Sequence, residues 1–155
     1  MGFYEWMLAL HLLAAFAIAS ALVLFSVMVY SGRRMRTLDE IRLLFRLAPV
    51  GTPLITGGSV LALVLGIVLA INSPDIHPWD GWVIAAYVLW AALGGVGQRT
   101  GTYYTEVEKL AAAAGPGAEQ QVVARLRAPT GMLLHLATVG VFVLILLDML
   151  FKPGA

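Results

Sequence analysis

Apolar residues in this chain fall into long unbroken runs, with the polar residues collected between them. Four runs stand out, at about residues 4–30, 53–71, 79–96 and 131–151. A helix needs about 20 mostly apolar residues to cross a bilayer core, and each run meets or approaches that length. The pattern predicts an all-α, integral membrane four-helix bundle of up-down connectivity, with residues 1–155 forming a single transmembrane domain. Tyr4 and Trp6 open the first run, where amphipathic aromatics sit at headgroup depth. That run is too long for a signal-peptide core, lacks a basic start and has no small-x-small cleavage site before Arg33, so it is read as a permanent helix. Trp79, Trp82, Tyr87 and Trp90 crowd the first half of the third run.

The intervening segments set an orientation. Arg33, Arg34, Arg36, Arg42 and Arg46 separate the first two runs, and Arg99, Lys109, Arg125 and Arg127 separate the last two. The segment from Asn72 to Asp80 has no Lys or Arg. The positive-inside rule therefore predicts the first and third loops in the cytoplasm and both termini on the outer side, with Lys152 the lone contrary charge.

The cytoplasmic loops carry helix signals of their own. Thr37-Leu38-Asp39-Glu40 is a capping-box pattern. It opens a segment with Leu38, Ile41, Leu44 and Phe45 on one face, which reads as an amphipathic helix lying on the inner leaflet. Thr105 to Glu108 repeats the signal, followed by a Gly115-Pro116-Gly117 break and a second piece over Ala118 to Leu126. The outer side carries little beyond a tight turn. This leaves no room for a nucleotide-binding domain, and no Gly-rich phosphate loop is present.

Composition sharpens the class. Of 155 residues, 60% are hydrophobic and 12% charged, about half the charge of an average soluble domain. The mean hydropathy is +0.86. Cysteine is absent, which excludes disulfides, iron–sulfur clusters and thiol catalysis. The formal net charge of +1 carries no signal for a nucleic-acid partner, and none is expected. Eight of the ten basic residues are Arg, a usage compatible with a GC-rich bacterial genome. The expected location is a bacterial inner membrane, with the lipid bilayer as the first partner and a homo-oligomer or larger membrane complex as the second.

Chemistry rests on few residues. His11 lies about 7–10 Å below the outer interface. An ionisable group within a span is costly and marks function by default. Two readings stand side by side: a cofactor ligand, or a neutral imidazole bonded to a neighbouring carbonyl or hydroxyl. His135 lies near the inner interface, where it can reach headgroups or water. The two histidines differ in depth by roughly 10–20 Å, which argues against one shared haem and allows two cofactors. Asp148 lies at a depth similar to that of His11 and could orient its imidazole if the first and fourth spans are neighbours. On the outer side Glu5, Asp75, His77 and Asp80 gather carboxylates and an imidazole, groups that suit copper(II) or zinc, although their spacing matches no metal motif. At the inner ends of spans two and three, Thr52, Thr56, Ser59 and the run Gly94-Gly95-Val96-Gly97 predict close helix packing, with a polar cavity beneath His135 as the alternative. Buried charge is too sparse for a proton relay.

Leu-His-Leu-Leu-Ala-Ala (Leu10 to Ala15), the Arg-rich first loop, the Trp-rich third helix and Met-Leu-Phe-Lys-Pro-Gly (Met149 to Gly154) together resemble an uncharacterised bacterial family of small four-helix integral membrane proteins. That family is similar to the group holding the copper-resistance D membrane domain and the HemJ-type protoporphyrinogen oxidase. The resemblance implies haem b or copper as cofactor. His11 matches the first-helix histidine that serves haem in the HemJ-type proteins. Those enzymes also use a lysine within a later helix, and the spans of this chain hold none. The copper-transport relatives imply Met and His ligands near the outer face, where Met7 precedes His11 by one turn. The function expected is haem or copper binding in a redox or metal-handling role, with His11, Asp148 and His135 as cofactor candidates and His11, Met7 and His77 as metal candidates. A non-catalytic accessory subunit or homo-oligomer is the alternative. No catalytic motif is present.

Overall fold

A computed structural model describes residues 2–115 and 117–153. Pro116 of the predicted break and Gly154 of the C-terminal motif lie outside them. Six helices follow in order: α1 (Phe3–Gly32), α2 (Leu38–Phe45), α3 (Ala48–Asn72), α4 (Gly81–Ala113), α5 (Glu119–Arg127) and α6 (Pro129–Phe151). No strand occurs among the described residues. Four helices, α1, α3, α4 and α6, are long and apolar enough to cross a membrane. Leu and Val side chains remain exposed along α1, α3 and α6, and Ile84 and Val88 on α4, as expected where the solvent is lipid.

The helices pair as two hairpins, α1 with α3 and α4 with α6. Glycines set the first pairing. A Cβ on Gly58 would lie 3.0 Å from Ile18 Cγ1 and 3.1 Å from the Ala14 carbonyl oxygen, and one on Gly51 would lie 2.8 Å from the Phe25 ring. Only glycine lets α3 seat this closely on α1. In the second hairpin Thr100 and Thr138 meet with their hydroxyls 2.9 Å apart, joining α4 to α6. The hairpins meet at three levels. Ile18, Leu22, Leu93 and Phe142 form the middle contact. Ala70, Trp82 and Val83 close the end bearing the termini. The largest cluster, including Met28, Ile41, Phe45, Tyr103 and Val107, closes the arginine-bearing end.

Several expectations are corrected here. The third span was expected to end near residue 96, but α4 runs unbroken to Ala113. No proline interrupts it, and Thr100, Tyr103, Val107 and Ala111 share a buried face that favours continuing the helix. At 1.5 Å per residue α4 is about 50 Å long, well beyond a core of about 30 Å. Thr105 to Glu108 therefore lies inside a helix and opens none; a capping pattern acts only where the preceding chain is non-helical. Trp79 lies in the turn before α4. The second loop helix runs Glu119–Arg127, one residue later than expected.

The Thr37 capping box does form: Thr37 Oγ1 accepts from the Glu40 N–H at 3.4 Å, and the Glu40 carboxylate accepts from the Arg36 and Thr37 N–H groups. The face it was expected to lay on a leaflet is instead buried in protein. Ile41 is 0% exposed, and Leu38, Leu44 and Phe45 are buried with it. They pack against α4 and α5, because the second half of α4 offers an apolar surface in Tyr103, Val107 and Ala111. Arginines tie this cap down. Arg42 donates to the Ala111 and Ala114 carbonyls, both at 2.9 Å, where the C-terminus of α4 leaves acceptors unpaired. Arg127 donates to the Arg33 and Met35 carbonyls, and Arg33 donates to that of Ala128.

Candidate functional site

The cap at the arginine end and the contact at mid-height leave a space between them. It is a cleft of about 540 Å³ between the two hairpins, flanked by α3 and α4. That volume lies within the range typical of small-molecule sites. Its α4 wall carries Gly94, Gly97 and Gly101, spaced along one helix face. A Cβ on Gly94 or Gly101 would meet nothing within 4 Å, and one on Gly97 only Thr138 Cγ2 at 3.9 Å. Gly94 and Gly97, expected to draw helices together, thus face open space, as does Gly101. Close packing in this chain is made by a different set, Gly51, Gly58 and Gly131. On the α3 wall, Thr52 and Thr56 turn their hydroxyls back onto the Ala48 and Thr52 carbonyls, at 2.9 and 2.8 Å, leaving a largely apolar surface. The Trp90 indole N–H reaches across from α4 to the Ser59 carbonyl at 3.4 Å. Phe45 and Leu126 line the cleft from the cap.

His135 forms the polar part of the back wall. It is 2% exposed. Its Nε2 lies 2.8 Å from Ser26 Oγ on α1, and Ser26 Oγ lies 2.7 Å from the Leu22 carbonyl oxygen. A serine hydroxyl has one proton, and a carbonyl can only accept. Giving that proton to His135 would leave two oxygens at 2.7 Å with no hydrogen between them. The arrangement that satisfies both contacts is Ser26 donating to Leu22 and His135 Nε2–H donating to Ser26. His135 is then the Nε2–H tautomer, with its lone pair on Nδ1. Among the described residues the only fully shielded side-chain nitrogen or oxygen lacking a partner is Asp148 Oδ2. His135 Nδ1 has no partner among the described residues, and the ring it belongs to lines the cleft.

His11 lies elsewhere. Its Nδ1 is 2.9 Å from the Ala62 carbonyl oxygen on α3. A carbonyl only accepts, so Nδ1 carries a proton and a neutral ring keeps its lone pair on Nε2. Gly66 makes the approach feasible, since a Cβ there would lie 3.3 Å from His11 Cε1. His11 and Ser26 are 15 residues apart on one continuous helix, about 22 Å along its axis. The two imidazoles therefore serve different levels of the bundle.

The other candidates do not converge. Asp148 is buried in α6, yet no hydrogen bond or ion pair joins it to His11. α1 packs chiefly on α3, so the polar edge of His11 meets α3 first. His77 sits in the turn between α3 and α4, with its ring 5.2 Å from that of Trp79 and its Nδ1 3.9 Å from Asp80 Oδ1. Met7 is half-buried on α1, one turn ahead of His11. The Glu5 carboxylate accepts from the Gly2 N–H at 2.8 Å. No group of three or more His, Asp or Glu side chains suited to a metal ion gathers among the described residues. Sequence reading did not single out Ser26. Ser26 is one of two serines in the first apolar run, with Ser20, and its place one helix turn from Leu22 was the available signal.

No family model, curated protein or solved structure matches this chain.

Proposed function

We propose that this chain is a multi-pass bacterial inner-membrane protein that binds a small, largely apolar ligand in the cleft between its two hairpins, with His135 as the polar anchor. One observation carries the reading. The cleft is largely apolar and of ligand size, and its back wall holds a single buried imidazole whose neighbours consume Nε2 and leave Nδ1 without a partner. Binding sites of this kind pair an apolar lining with a few well-placed polar groups. The ligand is one dissolved in the bilayer, because the cleft lies between helices whose other faces are suited to lipid. The arginine-bearing loops support a cytoplasmic location for the cleft end of the molecule. Native mass spectrometry of protein released from its own membranes tests the reading. The wild type carries a bound small molecule, and Gly101→Leu, which projects a side chain into the open space, does not. A wild type released bare overturns it.

A second reading concerns a separate site. His11 donates Nδ1–H to a backbone carbonyl, the arrangement that orients a metal-binding imidazole and leaves Nε2 as ligand. This supports His11 as a ligand to haem b or copper in a redox or metal-handling role. The donor chemistry fits either group; His11 does not line the cleft. A Soret band that shifts on dithionite reduction and disappears in His11→Ala supports the haem form of this reading.

A further inference from the structure

We infer that the cleft recognises an amphiphile with an uncharged hydroxyl head, an alcohol or phenol on an apolar body, whose O–H donates to His135 Nδ1. This rests on the ligand-binding reading above and specifies its chemistry. Three observations define the head group. First, the Ser26–Leu22 relay holds the proton of His135 on Nε2, so the atom offered to the cleft accepts hydrogen bonds and does not donate them. A head with only acceptors, such as an ether, ester or quinone carbonyl, finds no partner at that atom. Second, no Lys or Arg lines the cleft among the described residues; the one charged side chain is Glu108, near the capped end. A carboxylate or phosphate head would be desolvated without a counter-charge and would share the cleft with another anion. Third, the other buried hydroxyls of the lining are already committed, Thr100 and Thr138 to each other and to the Val96 and Leu134 carbonyls, while Ser59, Gln98, Tyr104, Thr105 and Glu108 are half-buried or exposed. Among the buried polar groups of the lining, His135 Nδ1 is the acceptor without a partner, in a largely apolar wall that can take the body of the ligand.

Three probes with the same mid-chain bromines separate these terms: dibromo-octadecanol, its methyl ether and dibromostearate. Bromine quenches nearby tryptophan, and Trp90 lines the cleft. The reporter protein carries Trp6→Phe and Trp79→Phe, removing two exposed indoles; Trp82 is buried in the cluster at the opposite end and supplies a constant background. In lipid nanodiscs the alcohol quenches saturably at low mole fraction. The ether and the stearate bind about tenfold or more weakly, as loss of one buried hydrogen bond or burial of an unpaired charge requires. Ser26→Ala frees the tautomer, so that Nδ1–H can be offered to an acceptor: the alcohol loses its advantage and the ether gains. His135→Phe, checked for folding by helical circular dichroism, binds alcohol and ether alike. Equal saturable quenching by alcohol and ether in the unmodified cleft overturns the hydroxyl inference and leaves the cleft as a binder of apolar chains. Tighter binding of stearate than of alcohol overturns it in favour of an anionic head. Absence of saturable quenching with all three probes overturns the binding reading itself.

Discussion

Ser26 on α1 accepts a 2.8 Å hydrogen bond from Nε2 of His135 on α6, while its own hydroxyl donates to the Leu22 carbonyl. The two long helices touch little elsewhere, α1 leaning chiefly on α3 and α6 on α4. This bond thus ties one hairpin to the other beside the cleft, and fixes which imidazole nitrogen the cleft sees.

Ser26→Ala should therefore destabilise the protein. It strips the buried His135 N–H of its acceptor at a cost of about 1–3 kcal/mol. Thermal unfolding in detergent measures the loss. A double-mutant cycle with His135→Phe should show that the two changes together cost less than their sum. Strict additivity would mean that the bond carries no energy.

The glycines should divide into two classes by the space around them. Gly131→Ala places a methyl 2.5 Å from the Tyr103 ring and should cost about 1–3 kcal/mol through overpacking. Gly94→Ala and Gly101→Ala meet nothing within 4 Å and lie inside a helix. Each should leave stability unchanged or raise it by up to about 1 kcal/mol. Unfolding midpoints of the three variants, measured together, check the contrast.

The absence of cysteine allows a clean accessibility test. A single cysteine introduced by Gly101→Cys should react with a membrane-soluble maleimide, and a saturating occupant should slow that reaction. Gly58→Cys, placed where α3 presses on Ala14 and Ile18, should fold poorly or react far more slowly. Equal labelling at both positions would contradict an open cleft on α4.

The arginines at the capped end should not be equivalent. Arg42→Ala removes two hydrogen bonds to the C-terminal carbonyls of α4 and should cost about 1–3 kcal/mol. Arg34 is exposed, and its side chain makes no such bond among the described residues, so Arg34→Ala should shift stability by less than about 0.5 kcal/mol. Differential unfolding of the two variants checks the prediction.

The four spans were legible because an apolar run near bilayer length is an unambiguous signal. The Thr37–Glu40 cap was legible because its chemistry is local. What escaped depended on which helices meet. Gly94, Gly97 and Gly101 mark a surface with no side chains to fill it, and such a surface suits either a close helix or a cleft. The choice is made by α3, which spends Gly51 and Gly58 on α1 and leaves α4 uncovered. The length of α4 escaped because its second half is polar by composition and helical through the buried row Thr100, Tyr103, Val107 and Ala111. The two histidines were visible as costly residues. Their partners, Ala62 and Ser26, come from helix pairing and not from spacing along the chain.

The central claim is that the cleft holds a membrane-dissolved ligand. Its most direct test is to isolate the wild type and Gly101→Leu from the same membranes in polymer-bounded discs and to compare their lipophilic extracts with the surrounding bilayer by mass spectrometry. The account predicts that the wild type retains a hydroxyl-bearing apolar species at about one per chain, and that Gly101→Leu, equally stable, loses it. Extracts from both proteins that match the bulk membrane in composition would contradict it.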